Sequence, residues 1–288
     1  MPIKAPAVRA DGTFPAAGRP FPPDRMPLLR AGRPRKRWRY VGLYSEDVML
    51  CVGRVDVGGV PQAFWAVWDR GAGVLHERTA FGTRGVLVGG PGDRLGRVRV
   101  RARGVEIDLR LEPGGDAVDV CSPHGRAWIW TRKTPMRASG TVRAGGRARH
   151  VRGLALVDDS AGHHARRTDW EWSAGTGTLA DGRTALWNVV TGIHDGPTVS
   201  ERTVWIGGRA HALGPVGFAL ALDGVAFAEG GALAFTAEGV RARRDGLGPV
   251  RSDYVQPFGT FTGSVPGPTG PLELTSGFGV MERHHARW

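Results

Sequence analysis

Glu282 and His284 stand two residues apart in the closing segment 280–288, where strand side chains alternate between two faces. Met281, Arg283, His285 and Arg287 share one face; Val280, Glu282, His284, Ala286 and Trp288 share the other. The two arginines mark the first set as the water face, which turns the carboxyl and the imidazole inward beside Val280 and Trp288. A carboxyl taken out of water is costly when ionised, so its pKa rises and it can donate a proton at neutral pH. A neighbouring imidazole can relay that proton. The pairing suits general-acid chemistry on an apolar molecule: hydration, isomerisation or cyclisation of an unsaturated lipid, isoprenoid or polyketide-like compound.

Three other segments repeat the pattern more weakly. In 199–205, Val199, Glu201, Thr203 and Trp205 oppose Ser200, Arg202 and Val204, and the arginine again argues that Glu201 is inside. In 186–190, Asn188 lies between Leu186 and Val190 on one face. In 167–172, Arg167, Asp169 and Glu171 oppose Thr168, Trp170 and Trp172, which puts the tryptophans inside and the charges in water. A barrel interior lined by Trp170, Trp172, Trp205 and Trp288 suits a flat or elongated apolar ligand. The competing reading is structural. Inward polar groups of a barrel often satisfy one another, as Glu201 would with Arg202 or Asn188. On that reading the protein is a non-catalytic lipid carrier or a structural module.

These residues need strands to position them, and the chain supplies strand signals about every ten residues, with turn residues between. Clear cases are 48–57, 62–68, 97–103, 105–111, 128–131, 151–157, 185–191, 199–206, 216–222, 232–236, 259–264 and 272–275. Gly 45 and Pro 20 interrupt nearly every window of helical length. The expected fold is all-β: two lipocalin-like (calycin) antiparallel β-barrels side by side, each of about eight strands, closed to protect their edges. Residues 1–37 read as an extended Pro/Arg-rich arm. The glycine pair at 145–146 divides the rest into 38–147 and 148–288.

The chain of 288 residues is 41% hydrophobic and carries a net charge of +12. Such charge invites nucleic acid, but nearly all of it is Arg, with Lys only at Lys4, Lys36 and Lys133, which reads as compositional bias. The segment 97–103 sets four arginines opposite Val98, Val100 and Ala102. That is a strand with one wet face; a groove for an anion or nucleic acid is the alternative. Cys51 and Cys121 read as buried thiols. Residues 175–180 match a loose dinucleotide fingerprint but lead into a strand instead of a helix, and no Walker A lysine, GxSxG, HExxH or CxxC occurs. His163-His164 and His284-His285 are adjacent strand residues, so each pair offers one ligand at most to a single site. No metal and no cofactor are expected; His164 is grouped with the ligand-binding candidates. The longest uncharged apolar segment, 212–222, is too short to span a bilayer, no signal peptide is visible, and a cytoplasmic protein is expected.

Several short motifs resemble a known bacterial family. Arg35-Lys36-Arg37-Trp38-Arg39-Tyr40-Val41-Gly42 and Phe64-Trp65-Ala66-Val67-Trp68-Asp69-Arg70 resemble the opening of the domain of unknown function numbered 2804. Thr168-Asp169-Trp170-Glu171-Trp172, Asn188 and Glu201 resemble its middle. Gln256-Pro257-Phe258-Gly259-Thr260-Phe261-Thr262-Gly263 and 282–288 resemble its end. That family is distantly similar to the carotenoid hydratase (hydroxyneurosporene synthase) and AttH-like proteins. The resemblance implies a twin barrel with a cavity for an apolar molecule and counts Gln256 among the ligand-binding positions; it brings no reaction with it. Arg202 stands where the family pattern implies Asn. The carotenoid-hydratase relatives favour Asp169 and Glu171 for acid chemistry, whereas face parity favours Glu201 and Glu282.

Overall fold

The computed structural model describes residues 8–10, 26–89, 96–124, 127–196, 199–247 and 250–287, and among these there is no helix. The strands open with β1 (Val8–Ala10), β2 (Leu29–Arg30), β3 (Arg33–Pro34), β4 (Lys36–Tyr44), β5 (Val48–Val57), β6 (Val60–Asp69), β7 (Val74–Phe81) and β8 (Val86–Val88). They continue with β9 (Arg97–Ala102), β10 (Val105–Pro113), β11 (Val118–His124), β12 (Ala127–Ala144), β13 (Arg147–Gly162), β14 (Arg167–Leu179) and β15 (Thr184–Thr191). The chain closes with β16 (Thr203–Ile206), β17 (Arg209–Ala212), β18 (Val216–Phe218), β19 (Gly224–Phe227), β20 (Ala232–Leu247), β21 (Val250–Gly267) and β22 (Gly270–Arg287).

One sheet runs β7-β6-β5-β4-β13-β12-β10-β9-β8, with β11 added on β12 and β1 on β11. The other runs β17-β16-β15-β14-β22-β21-β20-β19-β18. Each curls into a half-barrel: β8 returns against β4 and β5, and β18 against β15. The fold is therefore all-β, two curled antiparallel sheets side by side, as the sequence led us to expect. The domain break behaves differently. Gly145 and Gly146 adopt φ of 54° and 81°, a left-handed pair that closes the β12–β13 hairpin. The chain passes from one sheet to the other between Gly162 and Arg167, so β13 belongs to the first sheet, where it pairs with β12 and β4.

The three larger apolar cores among the described residues follow from strands that are greasy on both faces. On β4, Val41 and Leu43 fill the curl of the first sheet with Leu50, Val52, Val98 and Ile107. Leu179, Trp187, Val204, Phe235, Phe261 and Met281 fill the curl of the second. Between the sheets lies a third core, to which the other face of β4 gives Tyr40 and Tyr44 and the second sheet gives Trp172, Leu186, Trp205, Phe258 and Val280. This middle layer corrects the simple face rule. Met281, expected in water, is 0% exposed in the second curl. Arg202, taken as the outward marker beside Glu201, is itself buried, its guanidinium donating to the Asp195 and Gly196 carbonyls. Strand 199–206 is also shorter than its pattern implied: only Thr203–Ile206 is β, and Glu201 precedes it. Likewise 216–222 yields only Val216–Phe218.

The arginine strand has its wet face. Val98 and Val100 are 0% exposed, while Arg97 and Arg99 both reach Asp108 on β10, at 2.5 and 3.3 Å. Cys51 and Cys121 are both free and buried.

Candidate active site between the two sheets

Glu282 does face inward, but into the layer between the sheets and not into the hollow of one barrel. Register fixes its neighbours. On β14, Trp172 pairs with Glu282 and Trp170 with His284; on β21, Tyr254 pairs with His284. The Trp170 indole N–H donates to Glu282 Oε1 at 2.7 Å, and the Gln256 amide donates to Oε2 at 2.8 Å. Burial pushes the Glu282 carboxyl up to about 7; the two hydrogen bonds and the Arg241 charge act the other way and only partly offset it.

His284 is half-buried. Its ring lies 4.2 Å from Trp170 and 5.4 Å from Tyr254, centre to centre, and its Nε2 is 2.8 Å from the Ser252 hydroxyl. Burial, and then the Lys36 charge, lower its pKa to about 3. It is thus neutral at ordinary pH and can relay a proton but cannot begin as the acid.

The opposite wall comes from the first sheet. Tyr40 and Tyr44 project from one face of β4 with Gly42 between them, and any side chain at 42 would collide with both rings. The missing side chain lets the two phenol oxygens meet at 2.9 Å. Tyr40 meets Trp172 edge-on, with ring centres 5.6 Å apart. The Cys51 thiol, 3.8 Å from the Gln256 side-chain oxygen, is pushed up to about 11 by burial. Arg241 on β20 bonds Glu77, Thr79 and the Tyr254 hydroxyl at 2.9–3.1 Å and lies over the Phe64 ring.

A second buried carboxyl stands in the same layer. Trp172 donates to Asn188, and Asn188 donates to the Glu201 carbonyl at 3.0 Å and to its carboxyl at 3.4 Å. Lys133 on β12 reaches Asp158 at 2.7 Å and Glu201 at 3.2 Å, with every side chain of the trio largely buried. Burial, reinforced by the Asp158 charge, pushes Glu201 up to about 7 against the pull of Lys133. For Lys133 the two carboxyls outweigh burial, and the ammonium is held above its usual range.

The sequence candidates therefore divide. Glu282, His284, Trp170, Trp172, Gln256, Asn188 and Glu201 come together in the inter-sheet layer. Trp205 joins its apolar core but spends its N–H on the Asp116 carbonyl at 2.7 Å. His164 is buried at one end of the layer. Asp169 and Glu171 point the other way: Asp169 pairs with Arg167 and His285, and Glu171 with Arg283 at 2.6 Å. Asp169 is held below the usual carboxylate range because its hydrogen bonds to His285 and Arg167 overcome its slight desolvation. Trp288 lies outside the described residues.

Sequence reasoning missed Tyr40, Cys51, Lys133, Asp158 and Arg241, and one signal was on the page: lysine is scarce in this chain, and Lys36 and Lys133 are both buried. Among the described residues no group of three or more His, Cys, Asp or Glu could hold a metal ion. An open groove of about 690 Å³ lies elsewhere, lined by Glu46, Asp47, Trp68, Arg70 and Glu238 and by Gly71 and Gly73. It meets the inter-sheet layer through Trp68 and does not reach Glu282. Among the described residues no helix is long and apolar enough to cross a membrane.

Comparisons with known proteins agree with this architecture. The family described as "Domain of unknown function (DUF2804)" matches residues 92–288, so the resembling stretches at 35–42 and 64–70 fall outside the match. No curated protein matches the chain in sequence. Among solved structures, a putative AttH from Nitrosomonas europaea superposes with a TM-score of 0.51 at 14% identity, covering 94% of this chain and 98% of that one. Kievitone hydratase from Nectria haematococca superposes with a TM-score of 0.55 at 12% identity, covering 86% and 88%. At these identities the likeness shows the fold.

Proposed function

The chain belongs to the DUF2804 family, and from that premise we propose that it binds an apolar small molecule between its two sheets and acts on it without a cofactor, with Glu282 as general acid. One observation carries the reading: a buried carboxyl, held by Trp170 and Gln256, that burial brings to about 7. Such a group is half-protonated at neutral pH, which is where a proton donor is most effective.

Kievitone hydratase, which shares the fold, is named for a hydration, and that is the reaction class we place first. Glu282 gives its proton to one alkene carbon; water adds to the carbon left electron-poor; the proton shed by the added water returns to the carboxylate. Isomerisation and cyclisation need the same first step and end in loss of a different proton. Trp170, Trp172 and Tyr40 would hold the apolar body and keep bulk water away. His284 packs against Trp170 and can pass a proton between the site and Ser252.

A second reading, a non-catalytic carrier, draws on the same hydrogen bonds, because both Glu282 oxygens are already satisfied by protein donors. One experiment separates the two. Native mass spectrometry of protein purified from its own host identifies a copurified apolar molecule, which is then incubated with wild type and with Glu282→Gln. Loss of turnover by a factor of ~100 or more, with binding kept, supports the acid role. Unchanged turnover removes the acid role of Glu282, and no turnover in either protein leaves the carrier.

A further inference from the structure

At the end of the inter-sheet layer where β4 begins, two buried imidazoles, a half-buried one and a buried lysine amine lie together. Lys36 opens β4, His124 ends β11, His164 follows β13, and His194 follows β15. His164 is 2% exposed and His194 4%. The His164 ring stands edge-on to His124 at 5.7 Å, and Trp38 covers it at 5.1 Å. His194 Nδ1 lies 2.9 Å from the Ser122 hydroxyl. His163 turns to the other face of the chain, where its Nε2 lies 3.0 Å from the Pro27 carbonyl.

Neither nitrogen of His164 has a hydrogen-bond partner among the described residues, and neither does Nε2 of His194. Buried imidazole nitrogens are rarely left so, because each forfeits the hydrogen bond it had with water. The charges acting on these rings are all basic: Lys36 on His164 and His124, Arg33 on His124, and Lys133 on His194. The acids of the surrounding elements are engaged elsewhere. Asp119 takes Arg132 and the Trp130 N–H, Asp159 takes Arg39, Asp158 takes Lys133, and Asp195 caps the Gly192 N–H. Burial pulls His164 and His194 well below the ordinary histidine range and brings Lys36 down to about 5, so these groups are neutral at pH 7.

Unpartnered imidazole nitrogens, basic neighbours and nearby acids already engaged by other groups describe a seat for an anion. We propose that this cluster receives the carboxylate of an amphipathic acid whose apolar body runs along the inter-sheet layer toward Glu282. The proposal deepens the functional reading above and rests on it for the apolar body alone. The path is laid out by β4, where Lys36, Trp38 and Tyr40 share a face; four residues of strand carry the layer about 13 Å, from the Lys36 position to that of the phenol that abuts Trp172. An arriving carboxylate stabilises the protonated rings, so binding takes up protons.

Isothermal titration of the full chain with decanoate, 1-decanol and inorganic phosphate, at pH 6 and pH 8 and in two buffers of different ionisation heat, tests it. Decanoate is expected to bind at least tenfold tighter than decanol, more tightly at pH 6 than at pH 8, with an uptake of about one proton. His164→Gln is expected to cost decanoate about tenfold and to leave decanol unaffected. Equal affinities for the acid and the alcohol, no proton uptake, or no binding at all would overturn the seat. Binding of phosphate without decanoate would overturn the apolar body. If His164→Gln does not fold, the wild-type comparison of acid with alcohol still decides. Failure here is distinct from failure of the acid role, which shows only in the turnover of Glu282→Gln.

Discussion

Trp170 is registered across the sheet from His284, yet its indole N–H reaches diagonally to Glu282 at 2.7 Å. One side chain therefore packs against the imidazole at a tilt and holds the carboxyl. The hydrogen bond favours the ionised form of Glu282 and tempers the effect of burial. Trp170→Phe keeps the ring and removes the donor. Its expected result is a Glu282 titration displaced above about 7, read from the carboxyl stretch in difference infrared spectra. A titration that stays in place would mean that the indole is only packing.

Glu282 also makes stability depend on pH, with a sign opposite to that of a salt-bridged acid. Its folded pKa of about 7 lies above the ordinary value of 4.5, so between those values the folded chain holds a proton that the unfolded chain has released. Stability falls as pH rises through that window, by about 3 kcal/mol in all. Glu282→Gln removes the dependence. Denaturant unfolding should show the variant gaining on wild type from pH 5 to pH 8, with the gain levelling off above the folded pKa.

His284 acts from the acid side. Its folded pKa is about 3 against an ordinary value of 6.5, so below 6.5 the unfolded chain takes a proton that the folded chain refuses. Stability is lost as pH drops through this window, by about 2 kcal/mol at pH 5. His284→Gln should flatten the acid limb of a plot of unfolding free energy against pH. An unchanged limb would place the loss on other groups, of which His164 and His194 are the nearest in kind.

Much of this was legible in alternation alone. The pairing of Trp170 and Trp172 on one face, and the inward turn of Glu282, follow from period-two strands. What alternation could not say is which of two buried faces is which. Here β4, β14 and β22 are apolar on both sides at their centres, so Met281 and Val280 are equally hidden in different cores. The rule that arginine marks water holds at Arg283, which pairs with Glu171, and fails at Arg202, which is itself buried and donates to the Asp195 and Gly196 carbonyls. Lys133, Asp158, Tyr40 and Cys51 reach the site from the other sheet. Nothing in local sequence encodes the packing of one sheet on another.

The trio of Lys133, Asp158 and Glu201 shows that consequence most directly. Lys133 lies 2.7 Å from Asp158 and 3.2 Å from Glu201, so a single ammonium from β12 serves an acid from its own sheet and one from the loop before β16. Breaking a buried pair by removing one partner leaves uncompensated charge and costs about 3–5 kcal/mol, whereas replacing the whole group with neutral side chains costs far less. Lys133→Met should therefore destabilise strongly at pH 8. It should do so less at pH 5, where Glu201, with its folded pKa of about 7, holds a proton and asks for no counter-charge. Adding Glu201→Gln should recover part of the loss at pH 8 and little at pH 5. Denaturant melts of the two variants at both pH values measure this directly. Equal losses at pH 5 and pH 8 would mean that Glu201 stays ionised in the folded chain, and would count against its candidacy as a second proton donor.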